Sequence, residues 1–396
     1  MRRQAIIHWG ISSFFGWGVY GLNLARAWVG DPEIEPLAAL PIREADLVVD
    51  PLTRLAIRPF LERSRSLEAQ LARYAGQEVR AEAVVLHALG NDMAPVPAAH
   101  GVRMRGRRTI GVVFFETALL APEAVARART WDIIVAGSTW NARVLEAHGV
   151  SRVRVVLQGV DPALFHPAPR RGLFRDRFLV FSGGKLELRK GQDLVLLAFR
   201  RFAERHPEAL LVTAWHSPWP GLARTIEARG LVSPVVFAPD GRPDVRAWAE
   251  ANGIRPGQVV DLGAVPNPLL APILRECDVA LFPNRCEGGT NLVAMECMAC
   301  GVPTILSANT GHLDLIEDDS CFPLRRQRGM DGVAAGFGEI AGWGESEVEE
   351  IVARLEEVHR DREEARRRGA RGAERIGRFT WERTAAAMKE IVLAPG

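Results

Sequence analysis

Arg285-Cys286-Glu287-Gly288-Gly289-Thr290-Asn291-Leu292-Val293-Ala294-Met295-Glu296-Cys297-Met298-Ala299-Cys300-Gly301-Val302-Pro303 is the most informative stretch of this chain. An apolar run, Val279 to Phe282, precedes it and predicts a buried parallel strand. Two glycines, a threonine and an asparagine then open a helix that runs to Cys300. Gly301 is its stop, and Pro303 lies just beyond. A strand, a glycine turn and a helix start together form an anion site, because unpaired N–H groups converge there and the helix dipole favours negative charge. The flanking carboxylates, Glu287 and Glu296, cannot serve a phosphate; they suit hydroxyl donors such as those of a sugar or a ribose. The stretch therefore suggests a ligand that is part phosphate and part sugar. An ordinary strand-to-helix turn with an exposed helical glutamate is the competing reading.

Outward from this stretch, strand-like apolar runs alternate with helix-length amphipathic runs, the pattern of an α/β chain with parallel sheets. Strands are predicted near Gln4–His8, Ala83–His87, Thr109–Phe115, Ile133–Ala136 and Val153–Leu157. After a proline-rich linker at Asp161–Asp176 they resume near Arg177–Ser182, Leu210–Trp215, Val235–Phe237, Val259–Leu262, Val279–Phe282 and Thr304–Leu306. Helices are expected near Gly18–Val29, Ser64–Ala75, Thr139–Ala147 and Trp381–Val392. One strongly charged helix over Val348–Arg371 has a narrow apolar stripe that stops early, so its later half reads as solvated. At 396 residues two domains are the default expectation.

With 47% hydrophobic and 25% charged residues and a net charge of +2, the chain reads as a globular protein without the basic footprint of a nucleic-acid binder. The local cluster Arg103, Arg105, Arg107 and Arg108 reads as a solvated loop. No run reaches transmembrane length, and the apolar stretch before Trp9 is too short for a signal peptide, so a cytoplasmic location is expected. The five cysteines do not look like a disulfide framework. Cys297-x-x-Cys300 lies within one helix without a second pair, which favours packing over metal. No residues at zinc-ligand spacing appear, so no metal ligand is assigned.

The acidic stretch resembles the signature of glycosyltransferase family 4, retaining enzymes of the GT-B fold. That signature usually has seven residues between its two glutamates; here eight lie between Glu287 and Glu296. A second element, Gly183-Gly184-Lys185-Leu186-Glu187-Leu188-Arg189-Lys190-Gly191, resembles the family's Gly-Arg-Leu…Lys-Gly loop. Lys185 takes the arginine position and Lys190 the lysine position. A third, Gln158-Gly159-Val160-Asp161 with Phe165-His166-Pro167, is similar to the family's domain-closing stretch, and Thr380-Trp381-Glu382 to the start of its last helix.

The resemblance implies two Rossmann-like doubly wound domains facing a central cleft. An acceptor-side domain would span 1–165, completed by a C-terminal helix at 381–396, and a donor domain 166–380. It implies transfer of a hexosyl-type group from a nucleotide-diphosphate sugar to an unidentified acceptor, with retention and without metal or a further cofactor. Lys185 and Lys190 would hold the diphosphate; Glu287 would hold sugar hydroxyls and Glu296 the ribose. Gly184 and the amides of Gly288, Gly289, Thr290, Asn291 and Leu292 would line the donor. Val265 would lie toward the base, and His216, by its place after a strand, reads as lining the base or acceptor side. The small-residue loop ending in Gly16 and Gly18 would face the diphosphate from the other domain. The literal G-x-G-x-x-G at Gly16–Gly21 lacks the acid of a dehydrogenase fingerprint.

His87 and Glu116 end apolar runs in the first half, and strand ends line the ligand crevice of doubly wound folds. His87 reads equally as a core histidine. Glu116 follows two phenylalanines, where an unpaired carboxylate is costly to bury, and it stands where the family commonly has a histidine. A nucleotide-sugar epimerase on the same fold and a non-catalytic donor-binding subunit are the alternatives.

Overall fold

The computed structural model describes residues 2–98 and 101–395; positions 1 and 396 of the expected domain ranges lie outside these. The first half contains β1 (Arg3–His8), α1 (Gly16–Trp28), β2 (Ile34–Ala38), α2 (Pro51–Leu71), β3 (Glu78–Leu89), β4 (Arg103–Val113), α3 (Pro122–Ala128), β5 (Ile133–Ala136), α4 (Thr139–Ala147) and β6 (Val153–Val155). These strands form one sheet in the order β2-β1-β3-β4-β5-β6, and its pairings are parallel.

The second half continues with β7 (Phe178–Gly183), α5 (Gln192–Ala203), β8 (Ala209–Ala214), α6 (Val245–Ala251), β9 (Val259–Asp261), α7 (Leu270–Leu274), β10 (Val279–Phe282), α8 (Leu292–Ala299), β11 (Thr304–Ser307) and β12 (Phe322–Leu324). Their sheet runs β9-β8-β7-β10-β11-β12. That is the doubly wound order 3-2-1-4-5-6, and its switch point falls between β7 and β10. The lysine loop after β7 and the acidic loop after β10 therefore open side by side, at the crevice where ligands bind in such sheets.

Four short strands follow. β13 (Gln327–Met330) pairs antiparallel with β16 (Trp343–Ser346), and β14 (Val333–Ala334) with β15 (Gly338–Glu339). Then come α9 (Val348–Arg360), α10 (Arg362–Ile376) and α11 (Trp381–Leu393). Helix α11 packs on the first sheet's side. Trp381 stacks on Tyr20 at 5.7 Å, and the Trp28 indole donates to the Ala385 carbonyl at 3.1 Å. Trp381, Ala385, Met388 and Val392 complete a core with β1, β3 and α1.

Several sequence expectations are corrected. Ile34–Ala38 is a strand despite Pro36, because it lies at the sheet edge, where the missing N–H costs little. The helix expected at Ser64–Ala75 begins earlier: Asp50 caps it by accepting from Leu52 and Thr53, and Pro51 is its first residue. Val235–Phe237 is not a strand; only Phe237 makes an isolated bridge, to Pro243. The arginines 103, 105, 107 and 108 sit on β4 rather than in a loop, paired with β3.

The charged helix expected over Val348–Arg371 is two helices. Asp361 breaks it and caps the second, accepting from Glu364 at 2.9 Å. The half read as solvated is docked: Ala365, Gly369, Gly372 and Ile376 are buried. A Cβ at Gly369 would collide with the Gly301 carbonyl just beyond α8, and one at Gly372 would meet the Ser320 carbonyl at 2.7 Å. Close backbone approach leaves no trace in hydropathy. The five cysteines are free and buried. Among the described residues no helix is long and apolar enough to cross a membrane.

Candidate active site

The two switch-point loops are tied together from below by Arg285, whose side chain is fully buried. Its guanidinium reaches both oxygens of Asp193 in the first turn of α5, at 2.8 and 2.7 Å. It also donates to the Leu188 carbonyl at 2.8 Å and pairs with Glu345 on β16 at 2.8 Å. Gly191 takes a left-handed φ of +69°, and a Cβ there would strike the Pro283 carbonyl. The lysine loop and the acidic loop are thus one rigid unit.

A charge cluster sits on this unit. Lys190 and Asn284 both donate to the Glu287 carboxylate. Arg189 bridges three acids: Glu287 at 2.9 Å, Glu187 at 2.6 Å and Glu116 at 3.4 Å. Lys185 lies 3.5 Å from Glu187 and over the exposed Trp219 ring at 5.4 Å. Burial alone would raise Glu287, but Lys190 and Arg189 outweigh it and hold the carboxyl at about 2. Burial pulls Lys190 below the ordinary lysine range against the attraction of Glu287. Burial also pushes Glu116 up, opposed by Arg189 and Lys185.

The other wall of the cleft comes from the first half of the chain. The N-cap of α1, Phe15, offers no side-chain cap to the first amides of this helix. Gly16 approaches Leu292, where an added Cβ would sit 3.8 Å from the leucine methyl. The first turns of α1 and α8 therefore approach each other, and each helix start favours negative charge there. Phe15 stacks on His216 at 5.9 Å, and the Ser13 carbonyl accepts from Asn267 N–H at 2.6 Å. Gly18 has a packing role: a Cβ would lie 2.7 Å from the Ser12 nitrogen. Gly288 has no room for one against the Phe114 carbonyl, and its own carbonyl accepts from Ser138 at 2.6 Å. Gly289 likewise abuts the Phe114 ring. Gly184, at φ +119°, lays its backbone along the Lys190 side chain.

Asn291 opens α8 at the end of the acidic loop. It adopts a left-handed φ of +64° and caps α8 with its side chain. Its amide donates to His312 Nε2 at 3.0 Å, while the His312 Nδ1–H points to the Ser307 carbonyl at 3.2 Å. Burial drops His312 to about 4, so the ring is neutral. Thr290 is buried behind the loop against the Met295 sulfur.

Glu296 is 3% exposed and accepts from the Asn267 amide. Burial raises it to about 8, opposed only by that hydrogen bond. Val265 is partly buried and packs against the apolar core that includes Ala294, Met295 and Met298 of α8. His216 is half-buried, its pKa lowered by burial and then by Arg242. His87 does not end its strand, which continues to Leu89. It faces His8 across the register at 3.0 Å and packs on Trp131, inside the first sheet's core, where burial lowers it to about 3. The structure thus brings Lys185, Lys190, Glu287 and Glu116 together and keeps His87 apart from them.

Sequence reasoning assigned no role to Glu187, Arg189, Asn284, Arg285 or Asn267. Arg189 and Arg285 lay inside the quoted motifs, on the loops that follow the two strands, and nothing in the local pattern set them apart.

A family model described as "Family 4 Glycosyltransferase in conflict systems" matches residues 269–388, from the acidic loop's approach to α11. A D-inositol 3-phosphate glycosyltransferase of Thermomonospora curvata is 28% identical over 66% of this chain and 56% of its own length. A GDP-mannose-dependent alpha-(1-6)-phosphatidylinositol dimannoside mannosyltransferase of Mycobacterium tuberculosis is 26% identical over 66% of this chain and 58% of its own. Among solved structures, a sucrose-phosphate synthase from Thermosynechococcus elongatus superposes with a TM-score of 0.63 at 16% identity, covering 98% of both chains. Anabaena HepE in complex with UDP and glucose gives 0.63 at 12%, covering 98% of this chain and 99% of its own. The chain has the GT-B fold, and over residues 269–388 it is similar to family 4 glycosyltransferases. It spans about half the length of the curated relatives it matches, 56% and 49% for the first two. Both regions that carry the family's motifs, the lysine loop and the acidic loop, meet at the switch point described above.

Proposed function

We propose that this chain transfers a sugar from a nucleotide-diphosphate donor to an acceptor with retention of configuration and without a metal ion. The observation that carries the reading is the Lys190–Glu287–Arg189 cluster facing the converging first turns of α1 and α8. Relatives named for GDP-mannose and a fold neighbour solved with UDP and glucose support a nucleotide sugar as donor.

In this reading the diphosphate lies between Lys190, Lys185 and the two helix starts. When the C1–O bond to phosphate breaks, the new charge on the leaving oxygen meets fixed cations and amides that need no reorganisation. Glu287, held ionised, accepts sugar hydroxyls beside Lys190. The acceptor oxygen attacks C1 on the face the phosphate leaves, and the departing phosphate takes the acceptor's proton, so no protein base is required.

A thermal-shift screen over nucleoside diphosphates and nucleotide sugars tests the reading, since a ligand that binds only the native state raises the melting temperature. Turnover with the best donor is then measured in excess EDTA and with magnesium or manganese restored. Activity in EDTA within about twofold is expected. An absolute metal requirement would show that the lysines do not suffice, and donor conversion with no acceptor would favour an epimerase.

Glu296 gives a pH signature. Its carboxyl titrates at about 8 in the free site. Two ribose hydroxyls donating to it would favour the ionised form and lower that value, so binding below pH 8 releases a proton. Affinity for a nucleotide sugar, whose diphosphate has no titration in this range, should rise from pH 6.5 to 8.5 and level above. One linked proton limits the slope to about tenfold per pH unit. Calorimetric titration in two buffers of different ionisation heat counts that proton. Glu296→Gln should flatten the profile; an unchanged slope would remove Glu296 from the ribose.

A further inference from the structure

At the opposite end of the second sheet from the cleft, two histidines and two glutamates converge from parts of the chain about 150 residues apart. His206 and Glu208 lie in the turn between α5 and β8; Glu356 and His359 lie one turn apart on α9. His359 Nε2 is 2.9 Å from Glu208 Oε1, and His206 Nδ1 is 3.8 Å from the same oxygen. The other nitrogen of that ring, His206 Nε2, is 2.9 Å from Glu356 Oε2, whose second oxygen Arg205 holds at 2.9 Å. One ligand atom from each of His206, Glu208 and His359 lies within 4.8 Å of the others.

We propose that His206, Glu208 and His359 form a structural site for a divalent ion of the zinc type. Zinc bonds of about 2.05 Å in a tetrahedron set neighbouring ligands about 3.3 Å apart, and the observed 2.9 and 3.8 Å bracket that value. Two imidazoles and one carboxylate are a borderline donor set that suits zinc or cobalt over magnesium or calcium. Glu356 supplies the outer carboxylate: by accepting the Nε2 proton of His206 it turns the Nδ1 lone pair toward the ion. The rings are already in place, for His206 packs on Phe202 at 4.4 Å and His359 edge-on to the buried Phe178 at 4.9 Å. Side-chain exposures of 18% for His206, 36% for Glu208 and 20% for His359 leave a path in and room for a water as fourth ligand. The ion would fasten α9 to the turn before β8, and its distance from the cleft separates it from turnover. Spacing along the sequence could not reveal the set, because its halves meet only in the tertiary fold.

The test uses the full chain stripped with EDTA, then titrated with zinc and with cobalt. One equivalent of zinc should bind and raise the melting temperature, and cobalt should show the visible bands of a tetrahedral nitrogen–oxygen site. His359→Gln and Glu208→Gln should each abolish both effects while melting normally in EDTA. Glu356→Gln should weaken zinc by about ten- to a hundredfold, the usual loss for an outer partner. The proposal is overturned by substoichiometric binding, by binding that survives both ligand variants, or by a thiolate charge-transfer band that places cobalt on the buried cysteines. If either ligand variant does not fold, failure of the native chain to gain stability from zinc overturns it equally.

Discussion

Replacing Lys190 with alanine is expected to lower kcat by roughly a hundredfold or more, the scale of losing one preorganised donor aimed at developing charge. The ammonium is buried, lies along the Gly184 backbone and is held against Glu287, so its position is fixed before any ligand arrives. A cation that does not move on reaction stabilises the transition state without reorganisation, and no mobile group can take its place. The variant also leaves Glu287 with Arg189 and Asn284. That carboxyl should therefore stay ionised, and donor affinity should fall less than kcat. Lys185→Ala should be milder, because that side chain is half-exposed over Trp219 and already loosely held. Steady-state kinetics on the purified variants decide between them. Near-normal kcat in Lys190→Ala would sink the assignment of this residue to the leaving group.

The second large effect concerns stability. Arg285→Ala should cost about 3–5 kcal/mol, the range seen when one partner of a buried ion pair is removed. Glu345 would keep Arg229 and Arg328 at 2.8 and 2.7 Å. Asp193, fully buried, would lose both guanidinium hydrogen bonds. Stranding that carboxylate, more than losing attraction, is the physical source of the cost. The double variant Arg285→Ala with Asp193→Asn should therefore be less destabilised than the sum of the singles, a coupling readable in a denaturant cycle. Additive losses would mean that the pair does not join the two loops energetically. Activity should fall with the single variant as well, since the lysine and acidic loops would lose their common anchor.

Legibility in the sequence followed the range of the interactions. The alternation of apolar strands and amphipathic helices is local, and it was enough to predict two α/β units with parallel sheets; the lysine loop was found through its resemblance to the family's element. The edge strand at Ile34–Ala38 was hidden by Pro36, whose effect depends on whether the strand is central or at the rim. The docked face of α10 was hidden because glycine and alanine register as weakly polar or neutral whether they face water or a neighbouring backbone. His87 looked like a strand-end residue only because the end of β3 could not be read to within two positions.

What the sequence determined by itself was the alternation that makes the sheets, the glycine turns that open α1 and α8, and the two loops, after β7 and β10, that carry charge to the crevice. These depend on periodicity, on backbone freedom and on charge, all of which are properties of neighbouring residues. What only the tertiary structure decided was pairing. It joined Arg189 to Glu187, Glu287 and Glu116, gave Arg285 to Asp193 and Glu345, and set Glu296 against Asn267 in a pocket dry enough to raise its carboxyl to about 8. Pairing and desolvation follow from which distant segments share a small buried volume, and no local pattern in the chain encodes that.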